Sequence, residues 1–218
     1  MNVIGMIVCF TLFGLMSVVH LYFCFKEDEQ KRKITKPFLL VLLGLGLVFY
    51  VPQYPLIPSA CFLSALGDLV LIWNKKRPLF ALGALFFGLN HILNMITQIN
   101  VLVQNPTPTL YIYIAIAVAV IALLGLLMQS GDWMGLVTFG FSALHIVNII
   151  LALLAMAMGY YLDGGVILLG YIFCVSSDIL LAQATFKKDF KRRDFYIMLT
   201  YLVGQAIIYT GLSFLAQM

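Results

Sequence analysis

Charge is what this chain has least of. Only 10% of its 218 residues are Asp, Glu, Lys or Arg, against about a quarter in a soluble globular domain. That shortage excludes an ordinary water-soluble surface. With 63% hydrophobic residues and a mean hydropathy of +1.04, the chain holds apolar sequence for many bilayer crossings of ~20 residues each. Cysteines are few as well. Cys9, Cys24, Cys61 and Cys174 fall in apolar runs with no CxxC spacing, which excludes a disulfide framework and leaves reduced packing residues. The start of the chain lacks a basic region and a small-residue cleavage site, so the first apolar run is expected as a retained helix.

The charge that is present is sharply placed. All 13 Lys and Arg lie in residues 26–36, 75–77 and 187–193. This is the pattern of loops on one membrane face, and it excludes a groove for nucleic acid. Eight apolar segments are expected as transmembrane helices, at about 3–25, 38–52, 56–73, 79–99, 110–128, 134–158, 164–186 and 195–216. The fold expected is an all-α bundle of eight spans in one integral membrane domain. With eight spans, the basic loops share one side, predicted cytoplasmic, and both termini lie outside. Pro52, Pro55 and Pro58 in "YVPQYPLIP" predict a hairpin between the second and third spans. The first basic segment, "KEDEQKRKITKP", reads as a solvated loop.

Two segments echo one another. "SALGDLVLIWNKKR" and "CVSSDILLAQATFKKDFKRR" each run serine, aspartate, aliphatics, then a basic turn. They sit four spans apart, as two parallel four-helix halves would place them.

Of nine acidic residues, only Asp68 and Asp178 fall inside expected spans, with Asp132 and Asp163 assigned to short turns. An Asp at mid-membrane costs about 2.5–3.5 kcal/mol on insertion scales, and such residues mark function. Asp68 precedes Lys75, and Asp178 precedes Lys187, by roughly 10 and 13 Å of helix rise. Both therefore lie at similar depth and are expected to face one cavity. No Lys or Arg falls inside a predicted span to neutralise them. A carboxyl buried without a cation holds its proton near neutral pH, as a general acid must.

Other polar side chains fall near this layer. Ser64 precedes Asp68 by one turn, and Ser176 and Ser177 adjoin Asp178. His91 sits among Asn90 and Asn94, and His145 near Asn148. Tyr201 and Gln205 are spaced i, i+4 in the last span. Each of these, like His20, has a plainer reading as a tie between helices, worth about 0.6 kcal/mol. Two Asp and three His would suffice to ligate zinc, but no HExxH-type motif is present. No metal site is assigned, and no cofactor is expected.

At these residues the chain resembles the YhhN family, the group that includes animal lysoplasmalogenase. The matching stretches are "KPFLL" (36–40), "SALGDLVL" (64–71), "FALGALFFGLNH" (80–91), "GYIFCVSSDILLAQATF" (170–186) and "TYLVGQAII" (200–208). The resemblance implies an eight-span membrane hydrolase that cleaves the vinyl ether of lysoplasmalogens, giving a fatty aldehyde and a glycerophospho head group. It implies Asp68 and Asp178 as the essential aspartates. Ser64, His91, Asn94, Ser177, Tyr201 and Gln205 are candidates to orient water or substrate. Lys75, Lys76, Arg77, Lys187 and Arg192 are candidates to attract the lysophospholipid phosphate. His20 and His145 lie outside the matching stretches and receive no role. Paired intramembrane aspartates fit equally a proton-coupled transporter of lipids or small molecules, or a lipid-binding sensor. A metal-dependent lipid amidase or esterase is the third reading.

Overall fold

A computed structural model describes residues 2–72, 77–104, 133–186 and 190–218, a few of them at helix ends by backbone alone. Over these residues the chain forms seven helices and no strand: α1 (Val3–Phe25), α2 (Glu29–Tyr50), α3 (Leu56–Leu71), α4 (Arg77–Gln104), α5 (Trp133–Ala157), α6 (Tyr161–Phe186) and α7 (Arg193–Ala216). Five are long and apolar enough to cross a membrane: α1, α2, α4 from Leu79, α6 as far as Leu181, and α7. Helix α3 and the Ser142–Ala157 part of α5 are apolar but shorter. The expected segment at 110–128, and Asp132, lie outside the described residues.

Helix α2 begins well before the expected span, and this is the main correction to the sequence reading. Asp28 caps it, its carboxylate accepting the Lys31 N–H at 3.1 Å, as an N-cap does. That hydrogen bond, with the Lys31 side chain, holds the Asp28 carboxyl below the usual range. The cap is therefore fully formed above the ordinary carboxylate pKa and weakens as pH falls through the folded value. Lys33 pairs with Glu29 one turn back at 2.5 Å. Pro37 lies inside the helix and only deprives the Lys33 carbonyl of its backbone donor. Residues 29–36, expected in a loop, are thus helical, and Lys36 rides on α2.

Two smaller corrections follow the same logic. The Pro52–Pro55 turn separates α2 from α3, but Pro58 is inside the first turn of α3, where a missing N–H goes unnoticed. Asp163 is a buried residue in the first turn of α6, where the helix dipole favours an anion.

Each described helix packs on the next, and α7 returns to α1, closing a ring. Helix α7 also reaches α3 and α4. It is the most enclosed candidate span, with 56% of its apolar window buried against 6% for α1. The outer face of α1, including Ile4, Ile7, Leu12, Leu15 and Val18, is exposed as a lipid-facing surface would be.

Glycines set the approach of α6 to α7. A Cβ on Gly170 would lie 2.7 Å from the Ile208 nitrogen and 3.0 Å from the Gly204 carbonyl. One on Gly204 would lie 2.9 Å from the Cys174 nitrogen. These neighbours are backbone and cannot swing aside, as at small-residue crossings in membranes. Gly14 has nothing within 4 Å of such a Cβ. Gly170→Ala is expected to cost about 1–3 kcal/mol by overpacking, whereas Gly14→Ala should be neutral or gain up to ~1 kcal/mol of helix propensity. Thermal unfolding in detergent checks this; equal midpoints for both variants would contradict the close approach.

Candidate functional site

Asp68 is buried on α3 and carries two partners from other helices. Lys36 Nζ on α2 lies 3.0 Å from Oδ1, and the Tyr201 hydroxyl on α7 donates to Oδ2 at 3.0 Å. The expectation of an aspartate without a cation is therefore overturned at Asp68. Hydropathy alone begins this helix after Pro37 and leaves the lysine outside it. The Asp28 cap and the Glu29–Lys33 spacing are the signals for a start about two and a half turns earlier. The Asp68 side chain is 4% exposed and that of Lys36 22%, so the pair is shielded on one side and wetter on the other. Phe87 stands edge-on to the Tyr201 ring at 6.2 Å between centroids, and Ser64 is fully buried one turn before Asp68.

Asp178, on α6, belongs to a second group. His145 Nε2 on α5 lies 3.3 Å from its Oδ2. The His145 ring is 4.1 Å from the His91 ring on α4, and Tyr171 lies within 6 Å of both. From there a buried polar ladder climbs α4. Asn94 donates to the Tyr171 hydroxyl at 3.4 Å and to Asn90 at 3.2 Å. Asn90 donates to the Ala60 carbonyl at 2.8 Å and bonds the Tyr209 hydroxyl. On the α5 side, Asn148 donates to the His91 carbonyl at 3.1 Å and accepts from Gln98 at 2.9 Å. Buried polar groups of this density need partners in a low dielectric; the ladder supplies most of them, while Asn94 Oδ1 and Gln98 Oε1 are buried without a hydrogen-bond partner among the described residues.

Helix α7 lies between the two groups. Tyr201 holds Asp68, and one turn on, Gln205 Nε2 reaches Cys174 Sγ at 3.7 Å. Cys174 is one turn before Asp178 on α6. Ser177 donates to the Ile197 carbonyl at 3.0 Å, a tie between α6 and α7. The described ion pairs and hydrogen bonds give the two aspartates separate partners, with α7 and the polar ladder of α4 both reaching from one group towards the other. His145, given no role from the sequence, is the partner of Asp178; its pairing is tertiary and left no local signal.

His20 is a helix tie. The Thr35 hydroxyl donates to the Lys31 carbonyl at 2.9 Å, so His20 Nδ1–H donates to Thr35 at 2.7 Å, and Cys24 donates to Nε2 at 3.4 Å. That network assigns the tautomer. Among the basic candidates, Lys75, Lys76 and Lys187 lie outside the described residues, and Arg77 is described by its backbone alone. The Arg192 guanidinium covers the Phe25 ring at 3.7 Å, and its backbone N–H, at φ 58°, donates to Glu27 at 3.1 Å. Among the described residues, His, Cys, Asp and Glu do not gather in threes able to hold a metal.

Seven described helices, five of them apolar enough to cross a membrane, with ionisable pairs between helices at the buried Asp68 and the part-exposed Asp178, define a multi-pass helical membrane protein. The YhhN family model matches residues 31–212, and the chain belongs to that family. No curated protein and no solved structure matches it. The family includes lysoplasmalogenases.

Removing Lys36 alone would strand a buried carboxylate. A fully buried pair broken in this way costs about 3–5 kcal/mol, and the partial exposure of Lys36 lowers the expectation to about 2–3 kcal/mol. Lys36→Met is expected to destabilise by that amount, and Lys36→Met with Asp68→Leu to recover most of it. A double-mutant cycle on thermal unfolding reads the coupling; strictly additive losses would show that the two residues do not pair.

Proposed function

We propose that the protein is a membrane hydrolase of lysoplasmalogens, cleaving the vinyl ether to a fatty aldehyde and a glycerophospho head group with Asp68 and Asp178 as its acid–base residues. The observation that carries the reading is the unequal setting of two aspartates inside apolar helices. Asp68 has a lysine and a tyrosine hydroxyl on its oxygens; the ion-pair partner of Asp178 is a histidine. Unequal settings let two carboxyl groups divide acid and base work. Asp178 is assigned the proton donor and Asp68 the charged partner.

The chemistry needs both. Asp178 gives its proton to the β-carbon of the vinyl ether. The electron pair of the C=C bond forms the new C–H bond, leaving an oxocarbenium ion. The Asp68 carboxylate faces that positive charge and orients water onto the former α-carbon. Water adds and returns a proton, giving a hemiacetal. The hemiacetal collapses to aldehyde and glycerol hydroxyl as its C–O bond breaks. Glycosidases meet a comparable cation with two carboxyl groups. Ser64, His91, Asn94, Ser177, Tyr201 and Gln205 are taken as the residues that orient water or substrate. The same proposal takes the chain as an eight-span bundle with parallel halves, its basic loops cytoplasmic and both termini outside.

The test is aldehyde release from alkenyl-lysophosphoethanolamine by purified protein in detergent, with and without chelator. Asp68→Asn and Asp178→Asn are each expected to lower kcat by about 10²-fold or more, with folding retained. Tyr201→Phe, which removes one hydrogen bond to Asp68, is expected to lose about tenfold. Full turnover in either asparagine variant would remove that aspartate from the reaction, and absence of aldehyde from any alkenyl lysolipid would overturn the assignment.

A further inference from the structure

Arg32 and Lys36 stand one turn apart on α2, each with a side chain 22% exposed. Each reaches a carboxylate on another helix: Lys36 the buried Asp68 on α3, Arg32 the partly exposed Asp194 on α7. Arg193 also approaches Asp194, at 3.7 Å, so two guanidinium groups share one carboxylate. Asp194 contacts Arg32 through one terminal nitrogen, and Arg32 Nε is buried without a hydrogen-bond partner among the described residues. A guanidinium whose Nε donor is unspent, bound to its carboxylate through one nitrogen, can turn to the forked recognition of a phosphate.

We infer that Arg32, with Lys36 beside it, forms the phosphate subsite of this protein and receives the head-group phosphate of a single-chain glycerophospholipid. The spacing supports the chemistry. One helical turn, ~5.4 Å, separates Arg32 from Lys36, and Lys36 touches Asp68. A three-carbon glycerol spans about the same length between its phosphate and its far ether oxygen. A phosphate on Arg32 therefore brings that oxygen to the level of Asp68. The subsite deepens the lysolipid reading and rests on it for the identity of the substrate. It does not depend on the basic loop residues at 75–77 or 187.

The experiment is binding, which needs no turnover. A saturated alkyl-lysophosphoethanolamine, lacking the vinyl bond, is compared with an alkylglycerol of the same chain on full-length protein in nonionic detergent. Wild type is expected to bind the phospholipid about tenfold tighter, as a charged hydrogen-bonded contact predicts. Arg32→Gln should reduce the difference to about twofold or less, and Arg32→Lys to an intermediate value. Asp194→Asn breaks the same ion pair but frees the guanidinium, so it should keep or widen the preference. Preference undiminished in Arg32→Gln, or lost in Asp194→Asn, would overturn the subsite. Inorganic phosphate competing as well as the lysolipid would overturn its assignment to a lipid head group. Aldehyde release without any phosphate preference would remove the subsite alone, whereas phosphate preference without aldehyde release would leave the subsite standing and remove the hydrolase.

Discussion

The ion pair between Lys36 and Asp68 is the constraint on which the rest of the arrangement hangs. A carboxylate inside an apolar helix is tolerated when a cation and a hydroxyl meet its oxygens. Meeting them requires three helices to converge: α2 brings Lys36, α3 the aspartate, and α7 Tyr201. That convergence explains why α7, last in the chain, is the most enclosed candidate span and reaches across to α3. It also explains the early start of α2. Without the Asp28 cap and the turns that follow it, Lys36 would have no fixed direction in which to point.

Close packing on the other side of α7 places the second aspartate. Backbone contact at Gly170 and Gly204 brings α6 so near that Cys174 and Gln205 touch, which sets Asp178 one turn further on against α5. In a medium without a hydrophobic drive between helices, such contacts and buried hydrogen bonds carry association. The Tyr171–Asn94–Asn90–Tyr209 ladder does this work for α4, α6 and α7. The helices that hold the two aspartates are fixed by different means, charge on one side and glycine packing on the other. The settings of the two carboxyl groups differ accordingly.

Much of this was legible in the residues. Runs of apolar sequence located the seven described helices to within a few residues, except α2, because length and hydropathy suffice to mark a span. Asp68 and Asp178 stood out because charge is rare in such runs. The partners did not. Lys36 was hidden because it lies in the charged stretch before the apolar run, a stretch that hydropathy assigns to a loop although its cap continues the helix through it. His145 was visible as an intramembrane histidine, but nothing local distinguishes a helix tie such as His20 from a carboxylate partner. Nothing in the sequence singles out Tyr171 and Tyr209, and only their hydroxyl bonds reveal them as rungs of the ladder. Tertiary pairing, unlike periodicity, leaves no trace at a fixed spacing.

The oxocarbenium route proposed for this site has one signature that packing and topology cannot mimic. Water attacks the alkenyl carbon, so the bond that breaks joins that carbon to the ether oxygen, and the glycerol keeps its own oxygen. The measurement is mass spectrometry of the glycerophospho head group released in heavy-oxygen water, since a glycerol hydroxyl does not exchange with solvent. No heavy oxygen in the head group is the predicted result. A head group carrying heavy oxygen would show cleavage on the glycerol side and contradict carbon protonation, and with it the division of labour between Asp178 and Asp68.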